Sequence, residues 1–450
     1  MNGNSEQVAA KIESGGKANP RSDGYEQQRC DGDRKETNMQ GRHSRWIAGG
    51  LTLLLASTLV GTVPAEAGEA DGFLYGRILT TAGDSYEGLL RWGTEESFWD
   101  DLFQSAKQEL PAFDHVPKSD RKERKGRIEM FGFKMEWNDD KGGSRQFATR
   151  FGDIEKIVVT GKEDAIVYMK GGSKYEVSGY ANDVGNAITV WDGSVGKIDL
   201  HWRRIDTIEF RPTPSSVEPV GTRVHGTIET DAGKFAGFIQ WDKQECLSTD
   251  TLKGESRDGD LEIEFGKIRS IERIGGHSRV ELLDGRTFDL DGSRDFDDSN
   301  RGILVEDERY GKVEVNWDGF DKVVFDQSTG SGLGYSAYRG GGPIEATVYS
   351  GRDGMRGTIF FDLDEHEGWE FLNGSYGDVE FNIPFNLVAE IEPQGSSRCR
   401  VRLVNGETLP LSDGQDVSDS NDGILVLVGG SDENAEYIPW EEVTRIEVHH

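Results

Sequence analysis

Between Phe151 and Ile446 one hydrophobic pattern recurs six times: an aromatic residue, an apolar residue three later, and another three after that. The copies are Phe151/Ile154/Ile157, Trp202/Ile205/Ile208, Phe265/Ile268/Ile271, Trp317/Phe320/Val323, Phe385/Val388/Ile391 and Trp440/Val443/Ile446. Regular self-similarity predicts one folding unit per copy. Around each copy apolar and polar residues alternate, as in Ile198-Asp-Leu-His-Trp202, Leu261-Glu-Ile-Glu-Phe265 and Val313-Glu-Val-Asn-Trp317. A period of two turns one face of a strand inward. The pairs Gly171-Gly172, Asp284-Gly285 and Asn405-Gly406 predict tight hairpins between strands. Spacings of three do not suit a strand; they predict a single 3₁₀ turn wedged between two strands. On this reading the aromatic is the last inward residue of one strand and the first aliphatic plugs the turn. The second aliphatic opens the closing strand. Only Phe98 to Leu110 reads as a helix candidate.

Two kinds of unit alternate. The head of an A unit is Gly76-Arg-Ile-Leu-Thr-Thr-Ala-Gly83 with Gly88 and Trp92, matched by Gly226-Thr-Ile-Glu-Thr-Asp-Ala-Gly233 with Gly237 and Trp241. A looser version runs from Ile344 through Gly354 and Gly357 to Phe361. B units begin Val280-Glu-Leu-Leu-Asp-Gly285 and Val401-Arg-Leu-Val-Asn-Gly406, with Val167, Met169 and Gly172 as the counterparts in the first copy. The order A-B three times predicts a first pair at 68–210 with an insertion at about 111–145, a second at 222–326 and a third at 344–450. A stiff Pro-rich linker at 211–221 and a flexible Gly- and Ser-rich one at 327–343 separate them.

Strand, one 3₁₀ turn and a short last strand is how SH3-like and Sm-like small barrels end, and the A heads look like the front half of such a barrel. The resemblance is one of topology over about residues 73 to 448. It implies an all-β chain of six five-stranded SH3-like barrels, joined as three A-B pairs. A barrel of roughly 50 residues buries only about 60% of its unfolded surface, so pairing two enlarges a marginal core. The six aromatics are then core residues.

Charge removes some functions. The formal net charge is -31, and residues 1–67, with eight basic against eight acidic side chains, contribute none of it. Such a surface repels phosphate, which argues against nucleic acid and anionic membranes as partners. Trp46 to Val63 is an uncharged apolar run preceded by Arg42 and Arg45 and followed by Pro64-Ala65-Glu66-Ala67, a small-x-small cleavage site. The expectation is an exported, periplasmic or extracellular protein cut after Ala67; the alternative is an uncleaved signal anchor, since 18 apolar residues just span a bilayer. Residues 1–38 are polar, and a start at Met39 would restore a signal peptide of ordinary size in 39–67. Cys246 and Cys399 fall at non-equivalent places and read as free buried thiols.

Three clusters carry candidate chemistry. Asp289, Asp291, Asp295 and Asp297, around Gly292, have the carboxylate density of a Ca²⁺ loop. They lack the Glu of an EF-hand, and Asp-rich loops also arise because Asp bonds its own backbone. The third B unit offers Asp413, Asp416, Asp419, Asn421 and Asp422, and the first only Asn182, Asp183 and Asn186. Glu96, Glu245 and Glu365 stand four residues after Trp92, Trp241 and Phe361; three equivalent copies argue against catalysis, which uses unlike pairs. The insertion carries a basic run, with Arg121, Lys122, Arg124 and Lys125 as candidate contacts to an acidic partner, against the plainer reading of a solvated loop.

No nucleophile elbow, phosphate loop or paired-His motif occurs, and the terminal pair His449-His450 reads as a frayed end. The leading expectation is a non-enzymatic envelope protein without a cofactor that binds a protein, peptide or glycan. A Ca²⁺-dependent adhesion or scaffold module and an enzyme of unknown class are the alternatives.

Overall fold

The computed structural model describes residues 68–117, 124–130, 133–139, 145–179, 183–326 and 330–450, with only the backbone of 124–130 and 133–139. The apolar run and the expected cleavage site before Gly68 lie outside them. Alternation becomes strand: Arg398–Leu403 buries Cys399, Val401 and Leu403 and exposes Arg398, Arg400 and Arg402. The described residues are all-β, with antiparallel sheets and short 3₁₀ turns.

The first module runs β1 (Tyr75–Thr80), β2 (Ser85–Trp92), β3 (Leu102–Lys107), the inserted hairpin β4 (Arg124–Met130) and β5 (Phe133–Asp139), β6 (Arg145–Arg150) and β7 (Ile154–Val159). Its B unit supplies β8 (Asp164–Met169), β9 (Lys174–Ser178), β10 (Ile188–Asp192), β11 (Gly196–Leu200) and β12 (Ile205–Phe210). The helix candidate at Phe98 to Leu110 is instead β3, hydrogen-bonded to β6 and β9. Its residues are buried on both faces, so no alternation marks it as a strand.

The second module contains β13 (His225–Thr230), β14 (Gly233–Gln240), β15 (Thr251–Ser256), β16 (Gly259–Glu264) and β17 (Ile268–Ile274). It continues with β18 (His277–Leu282), β19 (Thr287–Leu290), β20 (Ile303–Asp307), β21 (Gly311–Val315) and β22 (Phe320–Asp326). The third contains β23 (Glu345–Ser350), β24 (Asp353–Phe360), β25 (Phe371–Tyr376), β26 (Val379–Pro384) and β27 (Val388–Pro393). It ends with β28 (Arg398–Leu403), β29 (Thr408–Ser412), β30 (Ile424–Leu427), β31 (Ala435–Ile438) and β32 (Val443–His449).

The first sheet has the order β11-β10-β2-β1-β12-β7-β8-β9-β3-β6. The third module repeats it position for position, from β31-β30-β24-β23-β32 to β27-β28-β29-β25-β26. The second follows the same plan, with β15 and β16 as a separate ribbon joined to the end of β19 by the Glu255–Asp291 bridge. In every module the first two strands of A pair with the last three of B, and the first two of B lie beside the last three of A. Among the described residues no barrel closes within one unit, contrary to the expectation; the sheets are open and the units exchange strands.

A glycine marks the exchange. A Cβ on Gly88 would lie 1.9 Å from the Trp191 carbonyl oxygen, one on Gly237 1.8 Å from that of Glu306, and one on Gly357 2.3 Å from that of Leu427. The A strand therefore approaches the B backbone where only glycine fits.

All six aromatic motifs make the expected 3₁₀ turn, one place out of phase: the aromatic is the first residue of the turn, and the first aliphatic already opens the closing strand. Ile154 and Ile157 then face the same core from one strand because the register slips between them, leaving Glu155 as an extra residue. The same bulge leaves out Asp206, Arg269, Asp321, Ala389 and Thr444. One unpaired residue reverses the side-chain parity, so a spacing of three becomes inward-inward. The six aromatics are buried, as are Cys246 and Cys399, which are free thiols.

The modules are packed on one another. Strand β21 of the second pairs with β26 of the third. Leu102, Leu304 and Phe371, one from each module, form a small cluster of their own. From Gly330 on, the Gly- and Ser-rich stretch expected to be flexible is packed: Tyr335 and Tyr338 are buried against the first module, and Tyr335 donates to the Ile154 carbonyl at 2.8 Å.

Candidate functional site

In each module the chain leaves the second A strand at its aromatic residue, turns tightly and returns four residues later. The bridges Trp92–Glu96, Trp241–Glu245 and Phe361–Glu365 hold the returning glutamate in place. In the second and third modules the turn begins with Asp242 and Asp362, at φ 50° and 49°, where the first has Gly93 at 58°. Asp tolerates this left-handed conformation better than most residues.

The B unit brings a second acid. Asp183, Asp295 and Asp416 each accept a backbone N–H from the third residue of the third A strand: Gln104 at 2.6 Å, Lys253 at 2.6 Å and Asn373 at 2.7 Å. Strand exchange sets this aspartate beside the glutamate. Asp242, Glu245 and Asp295 have carboxylate oxygens within 4.8 Å of one another, and so do Asp362, Glu365 and Asp416. In the first module Glu96 and Asp183 are neighbours, with Glu95 and Asp101 nearby, and Gly93 leaves the turn position without a carboxylate. The two aspartates of each triad are buried and its glutamate is half-buried.

Burial, reinforced by Asp295 and Asp242, pushes Glu245 up to about 8. Burial also raises Glu365, with Asp364 and Asp416 adding repulsion, and raises Glu96, with Asp183 as the main neighbour. Asp183, Asp295 and Asp416 are raised in turn, chiefly by burial. Arginines balance part of each triad: Arg294 Nε is 2.6 Å from Asp242 Oδ2 and Arg301 Nε 3.6 Å from Asp242 Oδ1, and Arg145 lies 3.1 Å from Asp362 and also bonds Asp422. The third triad opens on a cavity of about 270 Å³ whose wall includes Arg145, Gln146, Glu380, Asp413 and Gln415.

Of the four aspartates expected to form a Ca²⁺ loop, only Asp295 enters a triad. Asp289 is exposed and paired with Arg279 at 2.9 Å, which holds its carboxyl below the usual range. Asp297 is exposed and accepts the Ser299 N–H at 2.8 Å, and Asp291 is exposed beside the Glu255 bridge. Consecutive residues of a strand and its turn point apart, so their density in sequence is not density in space. Asp416 and Asp183 reach the site from their loops, whereas Asn182 lies outside the described residues. So do Arg121 and Lys122 of the basic run; Arg124 and Lys125 fall on β4, where only the backbone is described.

Asp242 and Asp362 escaped the sequence reading because a single Asp after a strand looks like turn chemistry. Their alignment with Gly93 was the available signal. The terminal histidines are not frayed: His449 Nε2 lies 2.8 Å from Thr347 Oγ1, and His450 Nε2 2.8 Å from the Val388 carbonyl oxygen.

No family model and no curated protein matches this chain. Among solved structures, one described as a streptogramin B lyase structure is similar at 9% identity over 66% of this chain and 94% of that one, with a TM-score of 0.09. A likeness that slight supports neither a fold nor an activity for this chain.

Proposed function

We propose that the chain is an exported, non-enzymatic scaffold of the bacterial envelope that engages a protein, peptide or glycan. The reading rests on one observation: three copies of the same module are held together by buried ion pairs. Lys107 reaches Asp364 at 2.6 Å and Glu370 at 2.5 Å across the first and third modules. Arg223 meets Asp100 at 2.8 Å across the second and first. Repetition on a stiff frame suits display of surfaces at set distances better than domain motion. Export rests on the apolar run and cleavage site at Trp46 to Ala67. In the same reading each half of a module is an SH3-like unit built by exchange, the first two strands of one repeat completing the last three of the other. The hairpin β4–β5 breaks the repeat and is the partner-binding element.

The test is affinity capture from solubilised envelope with the wild-type chain and with Arg121, Lys122, Arg124 and Lys125 all changed to Gln. A specific protein or glycan held by the wild type and lost with the four charges is expected. Identical retention by both, or a hydrolase or transferase activity abolished by one point substitution, sinks the reading.

A further inference from the structure

A carboxylate oxygen taken out of water without a donor is costly, and two that face each other are costlier. All three modules contain a glutamate oxygen buried without a donor. Glu96 and Asp183 are only 8% and 1% exposed, yet Glu96 Oε2 and Asp183 Oδ1 receive no hydrogen bond from the protein. Glu245 Oε2 and Glu365 Oε2, at the equivalent place, are also buried without a donor. Asp183, Asp295 and Asp416 each hold one backbone N–H, and Arg301 N–H donates to Asp242 Oδ1 at 2.7 Å, while Asp242 Oδ2 has only the ion pair with Arg294. In the two triads the glutamate oxygens are the ones left without a donor.

A shared proton would neutralise a pair. It would not account for a third carboxylate added in two modules on a left-handed residue where the first module has glycine, since a third negative charge only deepens the repulsion. A cation would. Arginines offset the charge at the turn aspartate, Arg294 and Arg301 at Asp242 and Arg145 at Asp362, whereas Glu245 Oε2 and Glu365 Oε2 stay without a donor. Three oxygens within 4.8 Å of one another can all lie within about 2.8 Å of a central ion, so a small closing movement of the side chains brings them to the 2.3–2.6 Å at which Ca²⁺ binds oxygen. The half-buried glutamates, and the cavity beside the third triad, leave access for the waters that complete six to eight ligands.

We propose that Asp242/Glu245/Asp295 and Asp362/Glu365/Asp416 each bind one divalent cation of the Ca²⁺ class. The first module, with Gly93 at the third position, is the built-in reference that does not bind at comparable affinity. This inference does not depend on the scaffold reading: each stands if the other fails.

The experiment is titration of the chelator-treated full chain with Ca²⁺ by calorimetry, and with Tb³⁺ by luminescence sensitised through Trp241, the neighbour of Asp242. One ion per triad is expected. Glu365→Gln should remove one, Glu245→Gln the other, and the double variant both, while Glu96→Gln and Asp289→Ala leave both in place. Gln keeps the shape and relieves repulsion, so these variants should fold; circular dichroism in chelator checks that, and their melting temperatures should no longer rise with Ca²⁺. Absence of saturable binding in the wild type overturns the proposal, as does binding that survives in the double variant. Gln variants that melt higher than a wild type indifferent to Ca²⁺ would also overturn it and assign the acids to proton sharing.

Discussion

Glu245 carries its burial as a pH dependence. Its folded-state value of about 8 stands above the ordinary 4.5, because burial and two neighbouring aspartates disfavour the charged form. Below the ordinary value both states hold the proton and nothing is lost. As pH rises through the window between the two values, the unfolded chain releases the proton while the folded one keeps it, so stability falls. The metal-free protein should therefore lose stability from about pH 4.5 to about 8, and Glu245→Gln should flatten that slope in denaturant titrations at stepped pH; an unchanged slope counts against the placement of Glu245. The acid itself was visible in sequence as one of three aligned residues. Its partner was not: Asp295 looked like a member of the Asp289 to Asp297 run, and only the exchange of strands sets it against a residue 50 positions earlier.

At the scale of the element, the motif of three and three is a 3₁₀ turn followed by a bulge. The spacing identified the turn, because no strand puts residues three apart on one face. It placed the turn one residue late, because the same spacing continues into the strand through the bulge. Glu155, Asp206, Arg269, Asp321 and Thr444, five of the six extra residues, are exposed polar side chains, as an unpaired position at the surface allows. Ile271 is fully buried, and Ile271→Ala should cost about 2–5 kcal/mol. Deleting Arg269 should cost more than that substitution, since it turns the rest of β17 (Ile268–Ile274) inside out; equilibrium unfolding of both variants checks the order, and a deletion milder than the substitution refutes the bulge.

Three copies of a ten-strand plan, tied by buried charges and a shared junction at Leu102, Leu304 and Phe371, should unfold as one cooperative body. Calorimetry should show a single transition. Lys107→Ala, which strands Asp364 and Glu370 without their cation, should cost about 3–5 kcal/mol. Separate transitions in the wild type, or a silent Lys107→Ala, would contradict that coupling. The sequence by itself determined the alternating strands, the six turns and the buried aromatics, because each follows from local periodicity and from how a turn satisfies its own backbone, whereas β3, buried on both faces, gave no such signal. Even the glycines of the exchange, Gly88, Gly237 and Gly357, stood out as repeats. Which strands pair was decided only in three dimensions: open A and B edges offer equivalent hydrogen bonds, and packing chooses between closing on oneself and closing on a neighbour. The acid sites follow from that choice, since each is assembled from the turn of one unit and the loop of the next.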